Sequence, residues 1–341
     1  MKHAHIPSVP WDEIKSPTGR FHSRTQNISV ALGGPRNVGT WGGGHPFDVQ
    51  IRRIPSGASV CPYHLHLAQW ELFVVQQGEA EVRTAEGVFR VKTGEVFIHP
   101  PGTPHRLTNP GPEDLEVLIV ADNPPVDGCY YPDSDKWALR PPGKFFRMTE
   151  VGYFDGEEPP VPDAPPYRSS PLPPPVPVAP FAQRRIDPAT LSWEAWESPG
   201  RKFRGESKEL SIALGAKRNT PTGLGGHPFE LELMKLAPER SGCPFHSHAA
   251  EWELFIILSG TARVRADDET HTFRAGDAVL HPPGEPHQIT NASATEDLLL
   301  FLLADTAPAE YWRYPDSGKW GLRSPRKFFR TAETAYWDGE E

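Results

Sequence analysis

The stretch CPYHLHLAQWELFVVQQG, residues 61–78, decides the fold, and it is met again as CPFHSHAAEWELFIILSG at residues 243–260. Each copy has a His-x-His pair, a glutamate five positions on, an apolar run rich in β-branched and aromatic residues, and a glycine stop. WELFVV and WELFII read as strands, and Gly78 and Gly260 as the turns that end them. Side chains two apart on a strand share a face, so His64 and His66 aim one way while Leu65 points the other; His246 and His248 do likewise.

Working outward, His105 and His287 follow the tight turns Pro100-Pro101-Gly102 and Pro282-Pro283-Gly284. His64, His66, Glu71 and His105 therefore recur as His246, His248, Glu253 and His287, each displaced by 182 positions. Aligned without a gap, Cys61–Asn109 and Cys243–Asn291 share 22 of 49 residues, so more than half of the segment has changed while all four polar residues have stayed. Three imidazoles and a carboxylate kept together twice point to one divalent transition metal per half: Fe(II), Mn(II), Ni(II), Cu(II) or Zn(II).

The rest of each half reads as more strands. EAEVR alternates Ala80 and Val82 against Glu79, Glu81 and Arg83, and short strands are separated by Gly, Pro and Asn. No helical period runs through the middle of either half; helix is expected only in short flanks such as 188–196. Eleven prolines in the 22 residues from Pro159 to Pro180 exclude helix or interior strand and indicate a linker. The expected organisation is a first domain at 1–158, a proline-rich linker at 159–181 and a second domain at 182–341. Tyr131-Pro132-Asp133-Ser134 returns as Tyr314-Pro315-Asp316-Ser317, and 153–156 as 336–339, both displaced by 183. The Tyr-Pro-Asp-Ser repeat reads as a turn followed by an arm that packs on a barrel, with capping of a short helix as the alternative for its polar residues.

The net charge of -9 disfavours nucleic acid and anionic membranes as partners. No apolar run is long enough for a membrane helix, and the N-terminus lacks the apolar segment of a secretory leader, so a soluble, cytoplasmic protein acting on a small molecule is expected. Three cysteines, Cys61, Cys129 and Cys243, are too few for a disulfide framework. Apolar residues on both faces of WELFVV require a covered outer face, by pairing of the two halves or by another chain in a homo-oligomer.

These motifs resemble the cupin superfamily, in its compact microbial form. The first cupin motif is matched by Gly57, His64, His66, Glu71 and Gly78, and the second by Gly94, Pro100, Gly102, His105 and Asn109. The second half repeats His246, His248, Glu253 and Gly260, then Gly276, Pro282, Gly284, His287 and Asn291, with Gly242 as a displaced opening glycine. The resemblance implies an all-β fold of two tandem jelly-roll β-barrels, a bicupin. It implies that the eight residues ligate metal, and that the chain is a metal-dependent oxygenase of dioxygenase type, similar to the quercetinase-like bicupins, acting on neighbouring oxygen groups. The alternatives are an isomerase or lyase acting on a sugar acid or enediol, and a binding protein without turnover. Oxalate decarboxylases, a related bicupin type, place an arginine beside each metal; Arg52 and Arg53, set against Leu233 and Met234, do not repeat in that way. His99, His281, His45 and His227 are the candidates for an acid or base beside the metals. Trp70 and Trp252 are expected in core or interface, and Glu251 is passed over as a ligand because its counterpart is Gln69.

Overall fold

The computed structural model describes residues 1–152, 156–157 and 178–340. Most of the expected linker and the 153–155 part of the terminal repeat lie outside the described residues.

Each half is built from three antiparallel sheets. In the first half a seven-stranded sheet runs, edge to edge, through Arg185–Ile186, Val96–His99, Glu71–Gln77, Leu115–Asp122, Phe47–Ile54, His22–Asn27 and Trp11–Lys15. Its counterpart runs through Lys2–His5, Asp277–His281, Glu253–Ser259, Leu298–Asp305, Phe229–Leu236, Arg204–Glu209 and Glu194–Glu197. A three-stranded sheet, centred on Glu79–Thr84 or Thr261–Ala266, faces each large one, and a four-stranded sheet carries the second histidine of each His-x-His pair. The fold is all-β, as expected. The 188–196 flank is not a helix: Asp187 caps a single 3-10 turn at Pro188–Thr190, and Glu194–Glu197 is an edge strand.

Strand alternation sorts the apolar residues into two kinds of core. Phe73 and Val75 point inward with Phe97, Val117 and Ile119 and pack on Ala80, Val82 and Leu107 of the small sheet. Leu72, Val74, Ile98, Leu118 and Val120 point outward and pack on Leu254, Ile256, Leu280, Phe301 and Leu303 of the other half. The outer face of WELFVV is thus covered by its own repeat. Burying a leucine in such a core contributes about 2 kcal/mol, and this joint repeats that many times.

The edges of the two units are exchanged. Lys2–His5, at the start of the chain, pairs with Asp277–His281 of the second half. Arg185–Ile186, from the segment before the second domain, pairs with Val96–His99 of the first. Each arm covers a strand edge that would otherwise expose unpaired backbone groups. The spatial units therefore differ from the linear segments 1–158 and 182–341 at these two arms.

The Tyr-Pro-Asp-Ser repeats are turns, as expected, and cap no helix. They turn the hairpins Asp127–Tyr131 to Lys136–Arg140 and Tyr311–Tyr314 to Lys319–Leu322. Asp133 accepts two hydrogen bonds from Arg83, at 2.6 and 2.9 Å, and Asp316 two from Arg265, at 2.8 and 3.0 Å.

Candidate metal centres

His64 and His105 exchange backbone hydrogen bonds, N to O at 3.1 and 2.8 Å, as do His246 and His287 at 3.1 and 2.7 Å. The Pro-Pro-Gly turns secure the second histidine of each pair: Gly102 N–H donates to the His66 carbonyl at 2.7 Å and Gly284 N–H to that of His248 at 2.7 Å. Gly102 has φ +78 and Gly284 φ +84, a region that favours glycine. Glu71 pairs in register with His99, and Glu253 with His281, so each glutamate enters from the large sheet.

The donor atoms converge in both halves. His64 Nε2 lies 3.2 Å from His66 Nε2, and Glu71 Oε2 lies 2.9 Å from His105 Nε2 and 3.6 Å from His66 Nε2. In the second half the matching distances are 3.0, 2.6 and 3.5 Å. Ligand atoms at right angles on an ion with bonds of about 2.1 Å sit roughly 3 Å apart, so this spacing fits a shared divalent cation. The remaining ring nitrogens are anchored: His64 and His105 Nδ1 lie 2.9 and 3.1 Å from the Pro62 and Thr103 carbonyls, and His66 Nδ1 2.7 Å from Asp127 Oδ2. Such bonds leave Nε2 free for a metal and hold the ring orientation. His246 and His287 are anchored on the Pro244 and Glu285 carbonyls in the same way. Burial alone would raise the carboxyl pKa of Glu71, but the imidazoles of His66, His105 and His64 reverse this and hold it well below the usual range; Glu253 is held down likewise by His248 and His287.

Asp127 and Glu310 were not singled out in the sequence, although the 183-residue displacement aligns two acids there. They differ in reach. Both accept from backbone N–H groups after the His-x-His pair, Asp127 from Ala68 and Gln69 and Glu310 from Ala249, Ala250 and Glu251, but Asp127 also grips His66 while Glu310 stays 3.7 Å from His248 Nδ1. Tyr131 and Tyr314 also join the sites, stacking on His64 and His246 with ring centres 5.9 Å away in each half. Cys61 Sγ lies 3.5 Å from His64 Nδ1, and the buried Cys129 neighbours His64 and His66; all three cysteines are free thiols. Glu251 pairs with Arg323 and lies 3.8 Å from the outer nitrogen of His248, apart from the cluster that Glu253 completes.

The four acid–base candidates stand away from the cavity walls. His99 stacks behind His105, centroids 3.9 Å apart at 7°, and His281 behind His287 at 4.1 Å. Burial lowers the pKa of both. His45 and His227 lie at the joint between the halves, against Trp252 and Trp70. Trp70 and Trp252 are thus interface residues.

Each cluster opens into a cavity, of about 340 Å³ in the first half and 300 Å³ in the second. Strand register also corrects the position of the arginines: Phe47–Ile54 and Phe229–Leu236 superpose with Arg52 on Met234 and Arg53 on Lys235. Gly57, with φ +71, falls on Glu239, with φ +59, so the opening turn of the second half is in place and Gly242 is not its pivot.

A family model described as Cupin domain matches residues 50–121 and 232–303, one segment in each half. The chain is a two-domain cupin. Among solved structures, this bicupin is similar to the formate complex of Lactobacillus farciminis oxalate decarboxylase, with 16% identity and a TM-score of 0.53 over 90% of this chain and 86% of that one. It is also similar to a mutant of Bacillus subtilis oxalate decarboxylase, with 15% identity and a TM-score of 0.51 over 91% and 78%. A further structure of the Bacillus subtilis enzyme is described by its Mn(II) centres. At these identities the likeness is one of fold. No curated protein matches the chain.

Proposed function

We propose that this bicupin is a metal-dependent lyase or isomerase that acts on a small organic acid with neighbouring oxygen groups. The reading rests above all on one observation: four donors converge, with their rings anchored, on the wall of a cavity of only about 340 Å³, at the small end of the usual range for ligand pockets. His64, His66, Glu71 and His105 would hold one ion, and His246, His248, Glu253 and His287 the other. A divalent ion held by three neutral imidazoles and one carboxylate supplies a Lewis acid that polarises adjacent oxygens of a substrate.

The chain's own residues supply orientation. Tyr131 faces the first cavity, and burial raises its hydroxyl pKa, so it stays protonated and able to donate to a substrate oxygen. Phe145 and Tyr131 wall the cavity, while Arg36, Arg52 and Arg140 line it with positive charge. The fold neighbours, oxalate decarboxylases by name, support the lyase reading over the dioxygenase first expected.

The test incubates metal-loaded protein with small hydroxy, oxo and sugar acids, following products by NMR and oxygen with an electrode. Product without net oxygen uptake is expected. One O₂ consumed per turnover would reinstate the dioxygenase, and full metal content without any turnover would favour a binding protein.

A further inference from the structure

The two centres share their ligands and differ in the charges around them. Displaced by 182 positions, Asn27, Gln50, Arg52 and Gln69 of the first half become Glu209, Glu232, Met234 and Glu251. The four first-half residues all line the first cavity, and the three glutamates line the second. The first cavity thus has three arginines, Arg36, Arg52 and Arg140, against the carboxylates of Asp48 and Glu71. The second has three arginines against five glutamates.

The pairing follows from these exchanges. Arg218 bonds to Glu209 at 3.1 Å and Arg323 pairs with Glu251. Their first-half equivalents, Arg36 and Arg140, face the amides Asn27 and Gln69 instead. Among the described residues no carboxylate lies within 4.0 Å of the Arg36 or Arg52 guanidinium, and Arg140 reaches only Asp127, at 3.8 Å. Gln50 Oε1, at 3.4 Å, is a weak partner for Arg52. A guanidinium withdrawn from water beside a cation-holding cluster is costly unless an anion joins it.

We infer that the first centre admits anionic substrates, with Arg52 as the residue that recognises their carboxylate, and that the second centre excludes anions. The inference rests on the reading of these centres as sites for a small organic acid. A carboxylate placed between a guanidinium fork and a metal is held by two charge-assisted contacts. In the second half Met234 offers neither charge nor donor, and Glu232, whose carboxyl is pushed toward the neutral acid by burial and by Glu209 and Glu253, stands where the first half has Gln50.

Co(II)-loaded protein titrated with lactate, and with lactamide as its neutral counterpart, tests this through the cobalt absorption bands. One equivalent of lactate per chain is expected, with lactamide binding weaker by about tenfold or more. Arg52→Met should weaken lactate by a similar factor with cobalt content unchanged. Met234→Arg combined with Glu232→Gln should create a second equivalent, which keeps the test decisive if Arg52→Met does not fold. Two equivalents in the unaltered protein, none at all, or an Arg52→Met titration like that of the unaltered protein would overturn the assignment. The titration reads binding alone, so failure to turn over any acid counts against the proposed reaction and not against this result.

Discussion

Trp70 of the first half packs its indole on the imidazole of His227 in the second, with ring centroids 4.9 Å apart. Trp252 returns the contact on His45 at 5.2 Å. Burial lowers the pKa of both histidines to about 4, and His45 Nε2 and His227 Nδ1 have no hydrogen-bond partner among the described residues. Both rings are therefore neutral at pH 7.

A pH dependence of stability follows. In the unfolded chain these histidines take up protons near pH 6.5, and in the folded one only near pH 4, so between those values the unfolded state binds more protons. Their contribution is fully present above about pH 6.5 and is lost as the pH falls toward 4. At roughly 1.4 kcal/mol for each pH unit between the two values, each histidine accounts for on the order of 3 kcal/mol. Denaturant titrations of metal-free protein should show this slope, and His45→Asn with His227→Asn should flatten it. An unchanged slope in the double variant would place the titration elsewhere.

The exchanged arms make the first residues a structural part of the second half. Met1 pairs through its ammonium with Glu285, which accepts from His281 Nδ1 at 2.8 Å. Deleting residues 1–5 should speed amide exchange in Asp277–His281 by about tenfold or more, since an exposed strand edge opens more easily. Exchange in Val96–His99, covered by Arg185–Ile186, should stay as it was. Equal loosening of both strands would show that the arm is not specific to the second half.

Asp127 and Glu310 predict different metal affinities at the two centres. Removing the carboxylate behind a ligand histidine typically weakens metal binding about 10–100-fold. Asp127→Asn should do so at the first centre, because Asp127 holds His66 directly at 2.7 Å. Glu310→Gln should act chiefly on stability, since Glu310 holds three backbone N–H groups instead. Calorimetric metal titration with thermal melting separates the two, and equal affinity losses would contradict the distinction.

Glu239, with φ +59, occupies the turn that Gly57 makes with φ +71. A side chain in that region costs on the order of 1 kcal/mol, partly offset by the extra freedom glycine has when unfolded. Glu239→Gly should therefore be neutral to stabilising by up to about 1 kcal/mol, and Gly57→Glu destabilising by about the same. Chemical denaturation of both variants decides it, and a marked loss in Glu239→Gly would contradict the account.

The convergence of His64, His66, Glu71 and His105 was legible because its geometry is local. The two-residue period of a strand determines where His64 and His66 point, and the positive φ of Gly102 sets the turn before His105. The covered outer face of WELFVV was also legible, from apolar residues on both sides of one strand. The arm exchange was not, because pairing Lys2 with Leu280 leaves no periodic trace near either residue. The contrast between the centres was hidden by a shift of one position: setting Arg52 against Leu233 crosses the strand face, whereas the displacement of 182 that holds for the histidines puts Met234 in its place, and the pairing of Met234 with Leu300 agrees. Tyr131 and Tyr314 were visible as a repeat, but their stacking on His64 and His246 depends on a hairpin whose neighbour is distant in sequence.

Metal content is the most direct measure of the central claim that both halves hold an ion through three imidazoles and one carboxylate. Manganese-supplemented protein should contain two equivalents per chain by elemental analysis, falling to one in His66→Ala with His105→Ala and to one in His248→Ala with His287→Ala. A folded, supplemented protein with no bound metal, or one whose content ignores both pairs of substitutions, would contradict it.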